Sequence, residues 1–146
     1  MKNEKIIIGS DHAGYQLKKK ILNYNFENNI LFYDIGTHNE DSVDYPDYGN
    51  KLSEKINCGD YEKGILICGS GIGMSIVANR YKNVRAALCF DEKMSILARE
   101  HNDANIIVFG SRLISFQQVI KCIQSFISTK FENGRHAVRI NKINNL

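Results

Sequence analysis

The segment from Gly64 to Gly73 reads GILICGSGIG and decides the fold of this 146-residue chain. Its apolar first half is typical of a buried strand, and the glycines after Cys68 indicate a tight turn. A helical pattern begins directly after that turn. Backbone N–H groups of such a turn can face an anion, and the helix start adds partial positive charge that favours a thiolate. The segment therefore predicts a reactive thiol beside an anion cradle.

The rest of the chain repeats this alternation of short apolar runs and longer helical patterns. We expect strands at 5–9, 31–34, 64–68, 85–89 and 106–109. We expect helices at 14–28, 47–57, 73–81, 92–100 and 116–129. The strands are almost continuously hydrophobic, which indicates a parallel sheet buried on both faces. The prediction is a Rossmann-like, three-layer α/β/α fold with five parallel strands.

Composition limits the classes of protein that remain. The length of 146 residues suits one domain, which we take as 1–146. A net charge of +3 is too small to indicate nucleic-acid binding, and no apolar run approaches the roughly 18 residues of a membrane span. None of the cysteines forms a C-x-x-C pair and no secretory signal is expected, so we expect neither a disulfide framework nor a zinc site. These features favour a reducing cytoplasm.

Polar or reactive residues follow three of the expected strands. Ser10-Asp11-His12 follows the first, Cys68 ends the third, and Gly110-Ser111-Arg112 follows the fifth. In parallel sheets the ligand lies beyond the carboxyl ends of the strands. We expect these residues to meet at one edge of the sheet.

The glycine loop admits other interpretations. The spacing is G-x-G-x-G, whereas a dinucleotide fingerprint is G-x-G-x-x-G with a small residue where this chain has Met74. Asp91 stands where a ribose contact would, which keeps a nucleotide site open, and a turn without any ligand is a further alternative. Cys89 and Cys122 are interpreted as buried small hydrophobes and Cys58 as inert.

Histidines and arginines outside the loop also have two interpretations each. His12 could contact a ligand or lie in solvent after a helix cap, and His101 could do chemistry or only interact with a helix dipole. Arg135 and Arg139 share a face if the tail is helical, and could hold a phosphate or lie in solvent. No two histidines have metal-ligand spacing on one helix, so no metal site is expected.

Taken together, six motifs resemble the ribose-5-phosphate isomerase B family, within a group that includes galactose-6-phosphate and allose-6-phosphate isomerases. They are Ser10-Asp11-His12-Ala13-Gly14, Asp44-Tyr45-Pro46, Cys68-Gly69-Ser70-Gly71-Ile72-Gly73, His101-Asn102-Asp103, Phe109-Gly110-Ser111-Arg112 and Gly134-Arg135-His136-x-x-Arg139. They run in order along nearly the whole chain. The resemblance implies a homodimer or tetramer whose active sites are shared between subunits, with segment 130–146 packing on the partner.

The resemblance also implies roles for particular residues. Cys68 corresponds to the base, His101 to the ring-opening residue, and Ser70 helps to stabilise the developing charge. Contacts with the sugar or its phosphate are implied for Asp11, His12, Tyr45, Gly69, Gly71, Ile72, Gly73, Met74, Asn102, Arg112, Arg135, His136 and Arg139. Many relatives have Thr at position 70, and a serine there keeps the hydroxyl. Another branch uses a glutamate of the following helix, where this chain has Val77.

The function expected from this resemblance is interconversion of ribose 5-phosphate and ribulose 5-phosphate through an enediolate. Such a reaction needs no cofactor and no metal. Isomerisation of allose 6-phosphate or galactose 6-phosphate remains open, as does a non-catalytic sugar-phosphate-binding module. A thiol-redox role is disfavoured because no second cysteine lies near Cys68 in the sequence.

Overall fold

The expected sheet and its two helical layers are present in the computed structural model, which describes residues 3–146. The strands are β1 (Glu4–Ser10), β2 (Ile30–Asp34), β3 (Lys63–Cys68), β4 (Ala86–Leu88) and β5 (Ile106–Gly110). The helices are α1 (Tyr15–Asn23), α2 (Tyr45–Asn57), α3 (Ile72–Ala78), α4 (Glu92–Asn102), α5 (Phe116–Ser128) and α6 (Arg135–Asn144). The strand order is β2-β1-β3-β5-β4, and each pairing is parallel.

Burial on both faces explains why the strands are almost continuously apolar. Successive side chains of a strand point to opposite faces, so β3 sends Ile65 and Ile67 to one side and Leu66 and Cys68 to the other. The first face packs against α1, α4 and α5, and the second packs against α2 and α3. The Cys68 side chain therefore lies on the α2–α3 face of the sheet, at the end of the central strand.

The largest differences from the sequence prediction lie at the end of α1 and in the C-terminal tail. Helix α1 ends at Asn23 rather than at residue 28, because Phe26 leaves the helical path and its ring packs 5.8 Å from that of Phe32 on β2. The tail forms an additional helix, α6, which begins after two residues with positive φ, Asn133 (64°) and Gly134 (57°).

Helix α6 packs on α4 of its own chain. Its buried residues are His136 and Ile140, whereas Arg135, Val138 and Arg139 are exposed. One face of the segment 130–146 is thus covered within the subunit. Packing of the exposed face on a partner stays a prediction.

A buried lysine shapes the segment that follows β2. Lys18 on α1 is 1% exposed, and its Nζ donates to Asp34 Oδ1 at 2.6 Å and to the Thr37 carbonyl. The same carboxylate oxygen accepts the Gly36 N–H. Burial lowers the pKa of Lys18, and the hydrogen bond with Asp34 opposes that shift. Lys18 therefore ties α1 to the turn that leads towards the functional edge.

None of the helices in the described range is both long and apolar enough to cross a membrane. Met1 and Lys2 lie outside the described residues, and the prediction about a secretory signal falls partly on them.

Replacing Lys18 by methionine is expected to lower the free energy of unfolding by about 3 kcal/mol, because Asp34 and the Thr37 carbonyl lose their buried donor. Urea denaturation at pH 7 measures the change. The matched control is Lys19→Met, an exposed neighbour that should change the value by less than about 0.5 kcal/mol. Equal losses in the two variants would contradict this role of Lys18.

Candidate active site

The carboxyl edge of the sheet brings together the polar groups that the sequence placed after β1, β3 and β5. Ser111 links the three loops, because its N–H donates to the Cys68 carbonyl at 2.9 Å and its Oγ donates to the Ala13 carbonyl at 2.8 Å. Asp11 N–H donates to the Ile67 carbonyl at 3.2 Å. These backbone ties fix the relative positions of the loops.

Cys68 lies at the centre of this edge. The residue is 4% exposed, and its Sγ accepts the Gly71 N–H at 3.2 Å. The loop therefore curls back so that its own backbone contacts the sulfur of Cys68.

The glycine loop uses part of its donor capacity internally. Gly71, with φ of 76°, directs its N–H at Cys68, and the Ile72 N–H donates to Ser70 Oγ at 3.2 Å. These two N–H groups are thus engaged within the loop, and the prediction that N–H groups of the turn face an anion rests on the others. Ser70 Oγ accepts a bond there and still has its own proton to donate. The Met74 side chain is fully buried in the α2–α3 core, so this residue can offer a ligand only its backbone.

Two side chains lie directly on the glycines of the loop. A Cβ at Gly69 would lie 2.6 Å from Nη1 of Arg112, and a Cβ at Gly73 would lie 2.5 Å from Cζ of Tyr45. Both distances are far below ordinary contact. The absence of a Cβ at these two positions leaves room for the guanidinium of Arg112 and the phenol of Tyr45 to lie against the loop that holds Cys68.

Asp11 and His12 are held by the backbone around them. Asp11 is buried, and its Oδ1 accepts the Gly14 N–H at 3.0 Å, as a helix cap would. His12 Nδ1 accepts the Val43 N–H at 3.1 Å, which leaves Nε2 to carry the proton of the neutral ring. His12 is thus oriented by its neighbours and is not a freely solvated side chain.

His101 and Asn102 lie at the opposite, amino edge. Arg85, which precedes β4, donates from Nε to the Asn102 carbonyl at 3.0 Å and binds the Asp103 carbonyl as well. Gly64 at the start of β3 donates its N–H to the Asn105 carbonyl at this edge. Four residue steps along β3, about 13 Å, separate this level from Cys68. One chain therefore does not bring His101 next to Cys68.

His101 has a stacked neighbour from α6. Its ring lies parallel to that of His136, with centroids 4.3 Å apart and an interplanar angle of 10°. His136 is 6% exposed, and its Nε2 lies 3.3 Å from Oε2 of Glu132. Sequence reasoning singled out both histidines but missed Glu132, for which the i, i+4 spacing to His136 was the available signal.

These three residues are the candidate metal ligands among residues 3–146, since each offers an atom within 4.8 Å of the others. A metal needs nitrogen lone pairs that converge at about 2.0–2.1 Å, and these lone pairs lie in the planes of the rings. Two nearly parallel stacked rings direct their lone pairs side by side. The cluster suits a proton-transfer or packing role better than metal binding.

The other residues singled out in the sequence have different surroundings in the structure. Asp91 Oδ1 accepts the Met94 N–H at 2.9 Å and caps α4, so its carboxylate has a structural role that needs no ribose. Arg135 and Arg139 are exposed and lie four residues apart on α6, the helix whose His136 stacks on His101. Burial raises the pKa of the Cys89 and Cys122 thiols to about 12, in keeping with their interpretation as buried small hydrophobes, whereas Cys58 is exposed.

Comparison with known proteins agrees with this architecture. Residues 6–143 match the model of the family described as Ribose/Galactose Isomerase. Ribose-5-phosphate isomerase B of Escherichia coli is 35% identical over 140 residues, covering 96% of this chain and 94% of that protein. A Rickettsia bellii protein that is 48% identical over 143 residues, covering 98% and 99% of the two chains, is named for sugar phosphates in general.

The chain is also similar to solved structures of ribose 5-phosphate isomerases. The crystal structure of a ribose 5-phosphate isomerase from Thermotoga maritima is similar with a TM-score of 0.94 and 48% identity, covering 98% of this chain and 99% of that one. The type B ribose 5-phosphate isomerase of Trypanosoma brucei is similar with a TM-score of 0.93 and 38% identity, covering 99% of each chain.

The thiols are expected to differ in reactivity. At pH 8, iodoacetamide should alkylate exposed Cys58 in the native protein but leave Cys89 and Cys122 unmodified, because a thiol with a pKa of about 12 forms little thiolate at that pH. Mass spectrometry of peptides measures the modification, and protein unfolded in guanidinium is the control in which every cysteine reacts. Native labelling of Cys89 or Cys122 at the rate of Cys58 would contradict the prediction.

Proposed function

The chain belongs to the Ribose/Galactose Isomerase family, and from that premise we propose that it interconverts ribose 5-phosphate and ribulose 5-phosphate through an enediolate. The observation that carries this proposal is the Gly71 N–H directed at Cys68 Sγ at the ligand-binding edge of the sheet. A buried sulfur with that support suits removal of a weakly acidic carbon-bound proton. No second cysteine lies near Cys68 in the sequence, as a C-x-x-C thiol-redox motif would require.

In the proposed reaction, Cys68 as thiolate removes the proton from C2 of the open aldose. The electron pair of the C2–H bond forms the C1–C2 double bond, and the carbonyl oxygen at C1 becomes the enediolate oxygen. The O2 hydroxyl gives its proton to O1 as the carbonyl forms at C2, and the proton held by Cys68 is delivered to C1. A positioned base of this kind typically contributes about 10²- to 10⁴-fold to the rate.

The charge that develops on oxygen needs donors that are not already engaged. The Ser70 hydroxyl remains able to donate, because its Oγ accepts from Ile72 without using its own proton. Loss of one such donor in other enzymes costs on the order of 3 kcal/mol. We infer that Ser70 and the free N–H groups of the loop stabilise the enediolate, with Asp11 and Tyr45 orienting the sugar hydroxyls.

Ring opening is assigned to His101 of a partner subunit. His101 and Asn102 lie at the amino edge and Cys68 at the carboxyl edge, so a single subunit holds two half-sites. A homodimer that brings the amino edge of one subunit to the carboxyl edge of the other would complete two equivalent sites. This arrangement agrees with the shared site that the family resemblance implies.

The phosphate is assigned to arginines from both half-sites. Arg112 lies over the glycine loop beside Cys68, whereas Arg135 and Arg139 belong to the helix that packs beside His101. We infer that the last two reach the site together with His101 of the partner. Guanidinium groups suit phosphate because each can donate two parallel hydrogen bonds, and binding the phosphate orients the reacting carbons.

A six-carbon sugar phosphate is the second candidate substrate, because the matching family includes galactose isomerases and the Rickettsia bellii relative is named without a particular sugar. Kinetics of the purified protein on ribose 5-phosphate, allose 6-phosphate and galactose 6-phosphate test the choice. The highest kcat/KM is expected for ribose 5-phosphate. Failure on all three substrates would favour a non-catalytic binding module.

Cys68→Ala is expected to lower kcat for ribose 5-phosphate by at least about 10³-fold while leaving its binding measurable, because the base is lost and the phosphate contacts remain. Steady-state kinetics and isothermal titration calorimetry measure the two effects. Cys58→Ala is the matched control, since Cys58 is exposed at the end of α2. Normal turnover by Cys68→Ala would make the base assignment wrong.

Mixing inactive subunits tests the composite site. Cys68→Ala and His101→Ala homodimers should each be inactive, but refolding an equal mixture should restore about one quarter of wild-type activity, because half of the dimers are mixed and each holds one intact site. Activity against mixing ratio is the measurement. Cys68→Ala mixed with Asp11→Ala should gain nothing, because both defects belong to the same half-site. No recovery in the first mixture would show that both residues serve one subunit.

A further inference from the structure

We propose that His136 is a positioning residue that fixes the imidazole of His101 for opening of the sugar ring, with Glu132 holding His136 in place. The proposal rests on the proposed function, and gives His136 a role other than the direct substrate contact implied by the family resemblance.

The stacking geometry supports this role. The two rings are 4.3 Å apart and within 10° of parallel, and His136 is 6% exposed. His101 itself is only partly buried. A stacked ring restricts the plane of its neighbour but leaves the ring edge, where the nitrogens are, open to a ligand. His136 thus covers one face of His101 without occupying its nitrogens.

His136 is in turn held from two sides. Glu132 Oε2 lies 3.3 Å from its Nε2, within ion-pair distance, although the N–H is not aligned for a hydrogen bond. Glu132 is anchored because its N–H donates to the Glu100 carbonyl at 3.1 Å, one residue before His101. The left-handed residues Asn133 and Gly134 turn the chain between Glu132 and α6. Glu132 therefore contacts His136, and His136 in turn stacks on His101.

Ring opening depends on the orientation of His101 because it is a two-proton event. The anomeric hydroxyl loses its proton to the imidazole as the C1–O1 double bond forms. The C1–O4 bond breaks, and O4 takes a proton from the same imidazole. Both oxygens are bonded to C1, so an imidazole that turns away from their plane serves neither. Misplacement by about 1 Å can cost about 10²-fold in rate.

A ring-opening defect can be separated from a defect in the base. Ribulose 5-phosphate has its C5 oxygen bonded to phosphorus and cannot close a furanose ring, so it reaches Cys68 already open. Exchange of its C1 proton with D2O therefore needs the base and not the ring-opening group. A residue that acts only through His101 should affect turnover of ribose 5-phosphate and leave this exchange unchanged.

The experiment compares His136→Ala and His136→Phe with wild type in both assays. His136→Ala should lower kcat/KM for ribose 5-phosphate about 10- to 100-fold, with the exchange rate within about twofold of wild type. His136→Phe keeps a stacked ring and should recover most of the loss. Lys142→Ala, an exposed position on α6, is the control expected to change neither rate.

Each other outcome counts against the proposal. Equal loss of turnover and exchange in His136→Ala would make His136 structural, and no loss of either would make it dispensable. A phenylalanine variant as slow as the alanine variant would overturn the stacking role.

A readout without activity separates this inference from the proposed function. The ring current of His136 should shift the His101 ring-proton resonances upfield, so these should move downfield in His136→Ala. Unchanged resonances would overturn the stacking, whatever the enzyme does. A wild-type protein that neither isomerises nor exchanges, but shows the shift, would instead refute the proposed function.

Discussion

The glycine loop after β3 passes very close to the end of β5, and this contact sets the geometry around Cys68. A Cβ at Gly110 would lie 2.4 Å from the Ser70 carbonyl oxygen, and a Cβ at Gly71 would lie 3.0 Å from the Gly110 N–H nitrogen. Because Gly71 and Gly110 have no side chains, the backbone of the loop can pass directly against the backbone at the end of β5. That turn directs the Gly71 N–H back at Cys68 and brings Arg112 over Gly69.

The same constraint separates this cysteine from the other buried thiols of the chain. Cys89 and Cys122 are surrounded by apolar groups, and burial raises the pKa of each to about 12 because the thiolate is not solvated. Cys68 is nearly as buried, but it receives a backbone hydrogen bond that burial alone does not provide. The hydrogen bond from the loop, and not the degree of burial, therefore distinguishes Cys68 from the other two buried thiols.

The parallel topology explains why the residues of the two proposed half-sites lie at opposite edges of the sheet. Every strand ends at the edge where Cys68 lies, and every crossover helix returns to the other edge, where α4 delivers His101 and Asn102. The carboxyl end of a crossover helix such as α4 and the carboxyl end of a strand such as β3 therefore lie at opposite edges of the sheet within one subunit. A second copy is the simplest way to unite them, which makes association part of the proposed catalytic design.

The sheet, the glycine turn after β3 and the edge where Asp11, Cys68 and Arg112 meet were predictable from the sequence, because apolar runs and glycine spacing are local signals. The sequence prediction left out helix α6 and extended α1 too far, since side-chain packing on α4 and the Phe26–Phe32 contact decide those ends. Only the tertiary structure separated His101 from Cys68 and stacked His136 on His101. Those facts depend on how helix ends approach each other in space, which no spacing along the chain encodes.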